Sequence, residues 1–425
     1  MAHWFTWVER IRPTRQPPGF TLLEFTPSSR VERIRPSPST SAAAVLRDLK
    51  HAGRDVIDLT IGEPDFDTAD NVKRAAIDAI NAGSTKYTPV NGILPLRQAI
   101  AEKYRQAGGG DYSPDDITVG GGAKQVIFLA LMASVDAGDE VVVPAPYWVS
   151  YPDMVMANAA TPVVVSTSEQ DDFKITPRQL NDAITPRTRW LILNNPGNPT
   201  GSLYHKDELK RIAEVLLEHP HVWILCDDIY SDIVYSDQPA SSLTSVEPRL
   251  AERTLAINGV SKTYAMTGWR IGWGAGPRQL VDAINTLQSQ ISSCPSSISQ
   301  AAALEAIRGN QDYLQGRIDQ FRHRRNEAAA RLNKISDLHC SLPEGAFYLF
   351  PSCQGVIGKT TPGGEVIATD YDFSRYLLRQ VGVGVIHGSA YGCSPHFRLS
   401  FAVPDDVLIE GCGRISDAVR ELSAS

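Results

Sequence analysis

The sequence predicts an α/β fold built around a mostly parallel sheet, and three observations carry that prediction. From Ala42 onward, short apolar runs bounded by turn residues alternate with helix-like segments. The strand-like runs are apolar nearly throughout, as in strands covered on both faces. Helices or loops of crossover length separate them, which suits parallel pairing. A chain of 425 residues has room for two or three domains at roughly 100–200 residues each.

The elements follow in order. Residues 1–30 read as a loosely ordered, Pro- and Arg-containing extension, in which VERIRP at Val8–Pro13 is echoed from Val31, a span too short for a repeat architecture. Asp70 to Ala82 has the spacing of an amphipathic helix, and Leu94 to Gln106 that of a second, with Pro95 in its first turn. Ile117 to Val119 reads as a short strand, Gly120 to Gly122 as a turn, and Ala123 to Val135 as an apolar helix closed before Gly138. Buried strands are predicted at Glu140 to Val143, Thr161 to Val165, Trp190 to Leu193, Val222 to Cys226 and Thr254 to Ile257. Beyond about Gln300 the character changes. A long charged helix, Gln311 to Lys334, leads to short strands at Ala346 to Phe350 and Phe397 to Phe401, as in a second, smaller domain.

Composition removes several function classes. Lys and Arg total 41 against 48 Asp and Glu, and a net charge of −7 is not the basic footprint of a nucleic-acid binder. The apolar stretch Val126 to Val135 is ended by Asp136, well short of the roughly 17–25 residues of a membrane span. Six scattered cysteines with no CxxC pair fit neither a zinc site nor a disulfide framework, and the N-terminus lacks the layout of a secretory signal. Reduced thiols in the cytoplasm are the expectation.

In an open parallel sheet, ligands bind beyond the carboxyl ends of the strands, which points to the loops after Val119, Leu193, Cys226 and Ile257. GGGAKQ after Val119 feeds a helix N-terminus, an arrangement that offers N–H groups to a phosphate and is equally an ordinary tight turn. NNPGNPTG, Asn194 to Gly201, is a stiff loop able to fix side chains. Asp227 stands at a strand end, where a buried carboxylate needs a cation or donors. The stretch after Ile257, NGVSKTYAMTGWRIGW, contains Lys262 and Arg270.

Together with GEPDFDT, KYTPVNG, PAPYWVSYP, DDIY, PEGAFYLF and FRLSFA, these motifs run in order from about Val31 to the end. In that set the chain resembles the class I, fold type I pyridoxal-phosphate aminotransferases, and within them the bacterial aspartate and aspartate/prephenate enzymes. The resemblance implies a large domain with a mostly parallel seven-stranded sheet sandwiched by helices, over residues 70–305. It implies a smaller α/β domain built from both termini, residues 31–69 and 306–425. It also implies aspartate as amino donor to 2-oxoglutarate in a ping-pong cycle, with prephenate, aromatic amino acids or kynurenine as alternative substrates.

Carried over residue by residue, the resemblance makes Lys262 the Schiff-base lysine and proton shuttle, and Asp227 the partner of the pyridine nitrogen. Tyr230 and Asn198 would hydrogen-bond the ring oxygen, and Trp148 would stack on the ring. Gly122, Ala123, Lys124 and Arg270 would hold the phosphate, joined by Tyr87 from the neighbouring subunit of a homodimer. Arg398 would grip the substrate α-carboxylate, with Gly62 contributing a backbone contact, and Trp148 and Asn198 bordering the substrate as well. Lys124 would also meet a distal carboxylate, helped by Ser39. No metal is implied. Two positions depart from the family pattern: Asp228 replaces a Glu, and Gly259 stands where more distant members carry a phosphate-binding Ser, leaving Ser261 as a candidate contributor. A regulator built on the same fold would need a DNA-binding helical module, for which 30 leading residues are too few. A catalytically inactive relative would not be expected to keep Lys262, Asp227, Arg270 and Arg398.

Overall fold

The computed structural model describes residues 25–36 and 38–423; most of the expected N-terminal extension, residues 1–24, lies outside the described residues. In chain order the strands are β1 (Ile57–Asp58), β2 (Ile117–Gly120), β3 (Glu140–Ala145), β4 (Thr161–Ser166), β5 (Thr188–Asn194), β6 (Trp223–Asp227), β7 (Thr254–Gly259), β8 (Gly272–Ala275), β9 (Tyr348–Leu349), β10 (Val383–Gly384), β11 (Ile386–His387) and β12 (Phe397–Ser400).

The large sheet has seven strands in the order β2-β8-β7-β6-β5-β3-β4. All neighbours are parallel except at β8, which runs antiparallel to both β2 and β7. Burial explains the apolar runs: β2 and β7 are buried at every residue, whereas the edge strand β4 is partly exposed throughout. One face carries a core of Val126, Val141, Val143, Trp190, Leu225 and Ile257; the other packs Val142, Leu191, Leu193 and Ile224 under the helix Lys206–Glu218. Against the β2 and β8 edge, Leu96 and Ile100 of the helix Leu94–Gln106 meet Ala302 and Ala306 of the helix Ser297–Arg308.

A second core joins chain ends that are far apart in sequence. Ile57 N–H donates to the Gly382 carbonyl at 2.8 Å, pairing β1 with β10. Ile57 and Leu59 share their apolar surroundings with Phe321, Phe347, Leu377, Phe397, Phe401 and Ile415. The small antiparallel sheet β11-β12-β9 lies in this part of the molecule, with Arg398 on its central strand.

Four elements depart locally from expectation, the first three for physical reasons visible in the structure. The sequence does not reveal β8, because Gly272-Trp273-Gly274-Ala275 has little strand propensity. Its glycine is required by close approach, since a Cβ on Gly272 would strike the backbone of Gly122 and Ala123. The helix expected to reach Val135 spans Ala123–Met132. Just beyond it, the Ser134 hydroxyl donates to the Ala130 carbonyl at 2.6 Å and accepts from Trp190 Nε1 at 2.8 Å, a local bonding pattern that competes with helix continuation. The long charged helix is Tyr313–Leu332, because the Gln311 amide instead caps the preceding helix by donating to the Ala306 and Ile307 carbonyls, both at 2.8 Å. The last strand stops at Ser400, not Phe401. Among the described residues no helix is long and apolar enough to cross a membrane.

Candidate active site

The carboxyl ends of β5 and β6 and the loop after β7 open on a cavity of about 610 Å³. The sheet register sets Asn194 beside Asp227 and Asp227 beside Ile257, so three loops of distant sequence begin side by side. Asn194 ties two of them together. Its amide donates to the Asp227 carbonyl at 2.8 Å, and its oxygen accepts from Asn198 N–H at 2.8 Å.

Asp227 is 4% exposed. Tyr151 OH donates to its Oδ2 at 2.6 Å and Ile229 N–H to its Oδ1 at 3.3 Å. Burial pushes its carboxyl up to about 6, opposed by those two donors and by the charge of Lys262. Among the described residues no cation stands within ion-pairing distance of it. A buried carboxylate so placed is suited to a cationic ligand.

Lys262 follows β7 and donates from Nζ to the Gly62 carbonyl at 2.5 Å. Burial, with Arg398 and Arg270 adding repulsion, brings its amine down to about 8, while Glu63 and Asp227 oppose that shift. A lysine in this range is a usable nucleophile and proton carrier near neutral pH.

Arg398 is 2% exposed. Its Nη1 donates to Asn198 Oδ1 at 3.1 Å and its Nη2 to the Thr60 carbonyl at 2.7 Å, while the Tyr348 ring lies 4.4 Å beneath the guanidinium. Its buried Nε has no partner among the described residues. A charged group held rigidly with a donor to spare is arranged for an incoming carboxylate. Beside it, the hydroxyls of Tyr230 and Tyr348 are 2.9 Å apart.

Another part of the cavity wall has the features of an anion site. Gly122, at φ 95°, starts the helix Ala123–Met132 with no side-chain cap, which leaves first-turn N–H groups for a ligand. Arg270, itself at φ 55°, donates from Nη1 to the Thr267 carbonyl at 2.9 Å and from Nη2 to the Gly121 carbonyl at 3.3 Å. A Cβ on Gly122 would collide with that guanidinium. Lys124 Nζ lies 4.6 Å over the Trp148 ring and donates to Ser150 Oγ at 3.2 Å. Burial and the Arg270 charge lower the pKa of its amine.

Gly62, Ala123, Lys124, Trp148, Asn198, Asp227, Tyr230, Lys262, Arg270 and Arg398, all expected from sequence, therefore line one cavity or its immediate wall; Gly122 adjoins Arg270 at its edge. Tyr87 does not line it and is 89% exposed. Ser39 belongs to the helix Pro38–His51, but its side chain lies outside the described residues; its neighbour Thr40 lines the cavity. Ser261 lines it too. Gly259 has its own steric reason, since a Cβ there would come within 3.0 Å of Gly272 Cα and of the Ile271 carbonyl. Tyr151, Thr60, Tyr348 and Asn194 escape sequence reading. Tyr151 had a signal in PYWVSYP, three residues after Trp148, but its bond to Asp227 spans 76 residues.

The donor set suits pyridoxal phosphate: an unpaired buried carboxylate for a pyridinium, a lysine for an aldehyde, and a glycine-opened helix start beside a guanidinium for a phosphate. Residues 54–415 match the family profile described as aminotransferase class I and II. The chain is 51% identical over 385 residues to a protein named probable aspartate/prephenate aminotransferase from Rhizobium leguminosarum bv. phaseoli, covering 91% of this chain and 96% of the other. It is similar to the crystal structure of aspartate aminotransferase from Rhizobium meliloti, with a TM-score of 0.92 at 49% identity, covering 94% and 100% of the two chains. The Thermus thermophilus aspartate aminotransferase with maleate gives 0.87 at 35% identity, covering 93% and 100%. The chain belongs to the class I and II aminotransferase family, and its cofactor is pyridoxal phosphate.

Proposed function

We propose that the protein moves the amino group of aspartate to 2-oxoglutarate, yielding oxaloacetate and glutamate in two half-reactions. The observation that carries this reading is a single cavity lined by Lys262, Asp227, Arg398 and Lys124. Two cationic anchors fit an amino acid with two carboxylates. The names of its relatives, aspartate and aspartate/prephenate aminotransferases, support the same substrate class. Prephenate, which also carries a second carboxylate, is the second reading that Lys124 favours.

When bound, pyridoxal phosphate supplies an electron sink for the pair left at the substrate Cα. Lys262 would anchor the cofactor and, once its Nζ is displaced by the amino acid, would take the Cα proton and deliver it to the carbon of the cofactor's former aldehyde, the reverse transfer serving the second half-reaction. Asp227 holds the proton at the pyridine nitrogen, and Tyr151 holds Asp227 ionised and in place. Tyr230 and Asn198 donate toward the ring oxygen, and Trp148 covers the ring face. Gly122, Ala123, Lys124 and Arg270 bind the phosphate. Arg398 and Gly62 orient the α-carboxylate so that the Cα–H bond faces Lys262. Lys124, with Ser39, receives the distal carboxylate.

The exposed Tyr87 fits a homodimer in which it reaches the partner's phosphate site, and a cytoplasmic setting suits the unpaired cysteines. We place the division between the two domains near residue 306, with the smaller one and the N-terminal segment closing over substrate to exclude water. The test is product analysis: aspartate and 2-oxoglutarate with the purified enzyme should give equal amounts of oxaloacetate and glutamate. Glutamate formed only from aromatic donors would overturn the aspartate assignment.

A further inference from the structure

Five cationic side chains line the cavity, Arg47, Lys124, Lys262, Arg270 and Arg398, with three carboxylates, Asp58, Glu63 and Asp227. Each carboxylate is already engaged. Asp58 accepts from Thr60 N–H at 2.9 Å and Thr60 Oγ1 at 2.6 Å, Glu63 from Thr267 Oγ1 at 2.5 Å, and Asp227 from Tyr151. Four of the cations are engaged as well, Lys262, Arg270 and Arg398 on backbone carbonyls and Lys124 on Ser150. Arg47 has no hydrogen bond or ion pair among the described residues. It projects from the helix Pro38–His51, where Thr40, Ala43 and Arg47 follow the i, i+3, i+7 spacing of one helix face and all three line the cavity. Lys124, by contrast, already has its amine on Ser150 and over the Trp148 ring. A guanidinium stays charged and offers a fork of donors to a carboxylate.

We propose that Arg47 is a specificity-determining residue whose guanidinium, carried on the helix Pro38–His51, joins Lys124 in holding the side-chain carboxylate of a dicarboxylic substrate. The inference deepens the aspartate reading and rests on it. It makes that helix part of the binding site.

The experiment compares wild-type holoenzyme with R47A and R47K, measuring dissociation constants for maleate, a dicarboxylate, and isovalerate, a monocarboxylate, by titration. Loss of one charge-assisted hydrogen-bonding partner predicts maleate binding weakened about ten- to hundredfold in R47A, with isovalerate within about twofold of wild type. R47K should recover part of the maleate affinity. For aspartate turnover, KM should rise while saturated kcat changes less. R47A holding maleate within twofold of wild type, or losing both ligands alike, would overturn the proposal. Maleate binding is read without turnover, so a wild-type enzyme that ignores aspartate refutes the donor assignment separately, while R47A still decides the role of Arg47.

Discussion

Replacing Tyr151 by Phe removes the one side-chain hydrogen bond that the central carboxylate makes among the described residues. Tyr151 OH lies 2.6 Å from Asp227 Oδ2, both groups are buried, and a phenyl ring fills nearly the same space. A hydrogen bond to a charged group is worth about 1.5–3 kcal/mol, or roughly one to two pKa units at about 1.36 kcal/mol each. Asp227, held at about 6 with the bond in place, should titrate at about 7–8 without it. At pH 7 the carboxylate fraction then falls from about nine-tenths to between about one-half and one-tenth. Only the ionised carboxylate pairs with a pyridinium, so apo-Y151F should bind pyridoxal phosphate about two- to tenfold more weakly than wild type at pH 7. The deficit should disappear near pH 9, where both proteins carry the carboxylate. The assay is the cofactor dissociation constant of the two apoproteins from pH 5 to 9. The cofactor's own ionisations are common to both curves and cancel in the ratio. A ratio that stays flat across that range would refute the claim that Tyr151 sets the charge of Asp227.

Other outcomes follow from the same geometry. R398A removes the α-carboxylate anchor and strands the Asn198 oxygen and the Thr60 carbonyl; steady-state kinetics should show KM for every amino acid raised about a hundredfold or more. Asp228 is 8% exposed and pushed up to about 8 by burial and then by Asp227. Its folded value lies above the roughly 3.9 of an unfolded Asp, so the stability it confers is present below about pH 4 and is lost as pH rises through about 8. D228N should therefore flatten the fall in melting temperature between pH 5 and 8 and be on the order of 2–5 kcal/mol more stable than wild type at pH 8; a variant with an unchanged pH slope would contradict the buried neutral acid.

Much of the site is legible in the sequence because its chemistry is carried by short motifs at strand ends. Asp227 ends an unmistakable apolar strand, and Lys262 and Arg270 share one sixteen-residue motif that spans the connection from β7 to β8, so strand reading and motif reading agree on where they sit. The N-cap glycine Gly122 is readable for the same reason. Contacts between distant segments are not. Arg398 meets Thr60 across 338 residues and Asn198 across 200, and nothing local in FRLSFA specifies either partner. The strand β8 is hidden because Gly272 answers to the backbone of Gly122 and Ala123 and Gly274 to the side chains of Val126 and Leu255, requirements set by neighbouring elements and not by its own propensity. Arg47 is hidden differently. Its helix carries an ordinary mixture of Ala, Ser and charged residues, and only the fact that one face of that helix lines the cavity separates Arg47 from a solvated surface arginine.

The central claim is that Lys262 and the surrounding cations make one site for acidic amino acids on pyridoxal phosphate. Its most direct test is to add aspartate, without any 2-oxo acid, to purified holoenzyme and follow the visible absorbance of the cofactor. The account predicts stoichiometric conversion to the pyridoxamine form in the wild type, with one oxaloacetate released per site, and no conversion in K262A. A bound cofactor whose spectrum aspartate leaves unchanged, or conversion that survives in K262A, would contradict it.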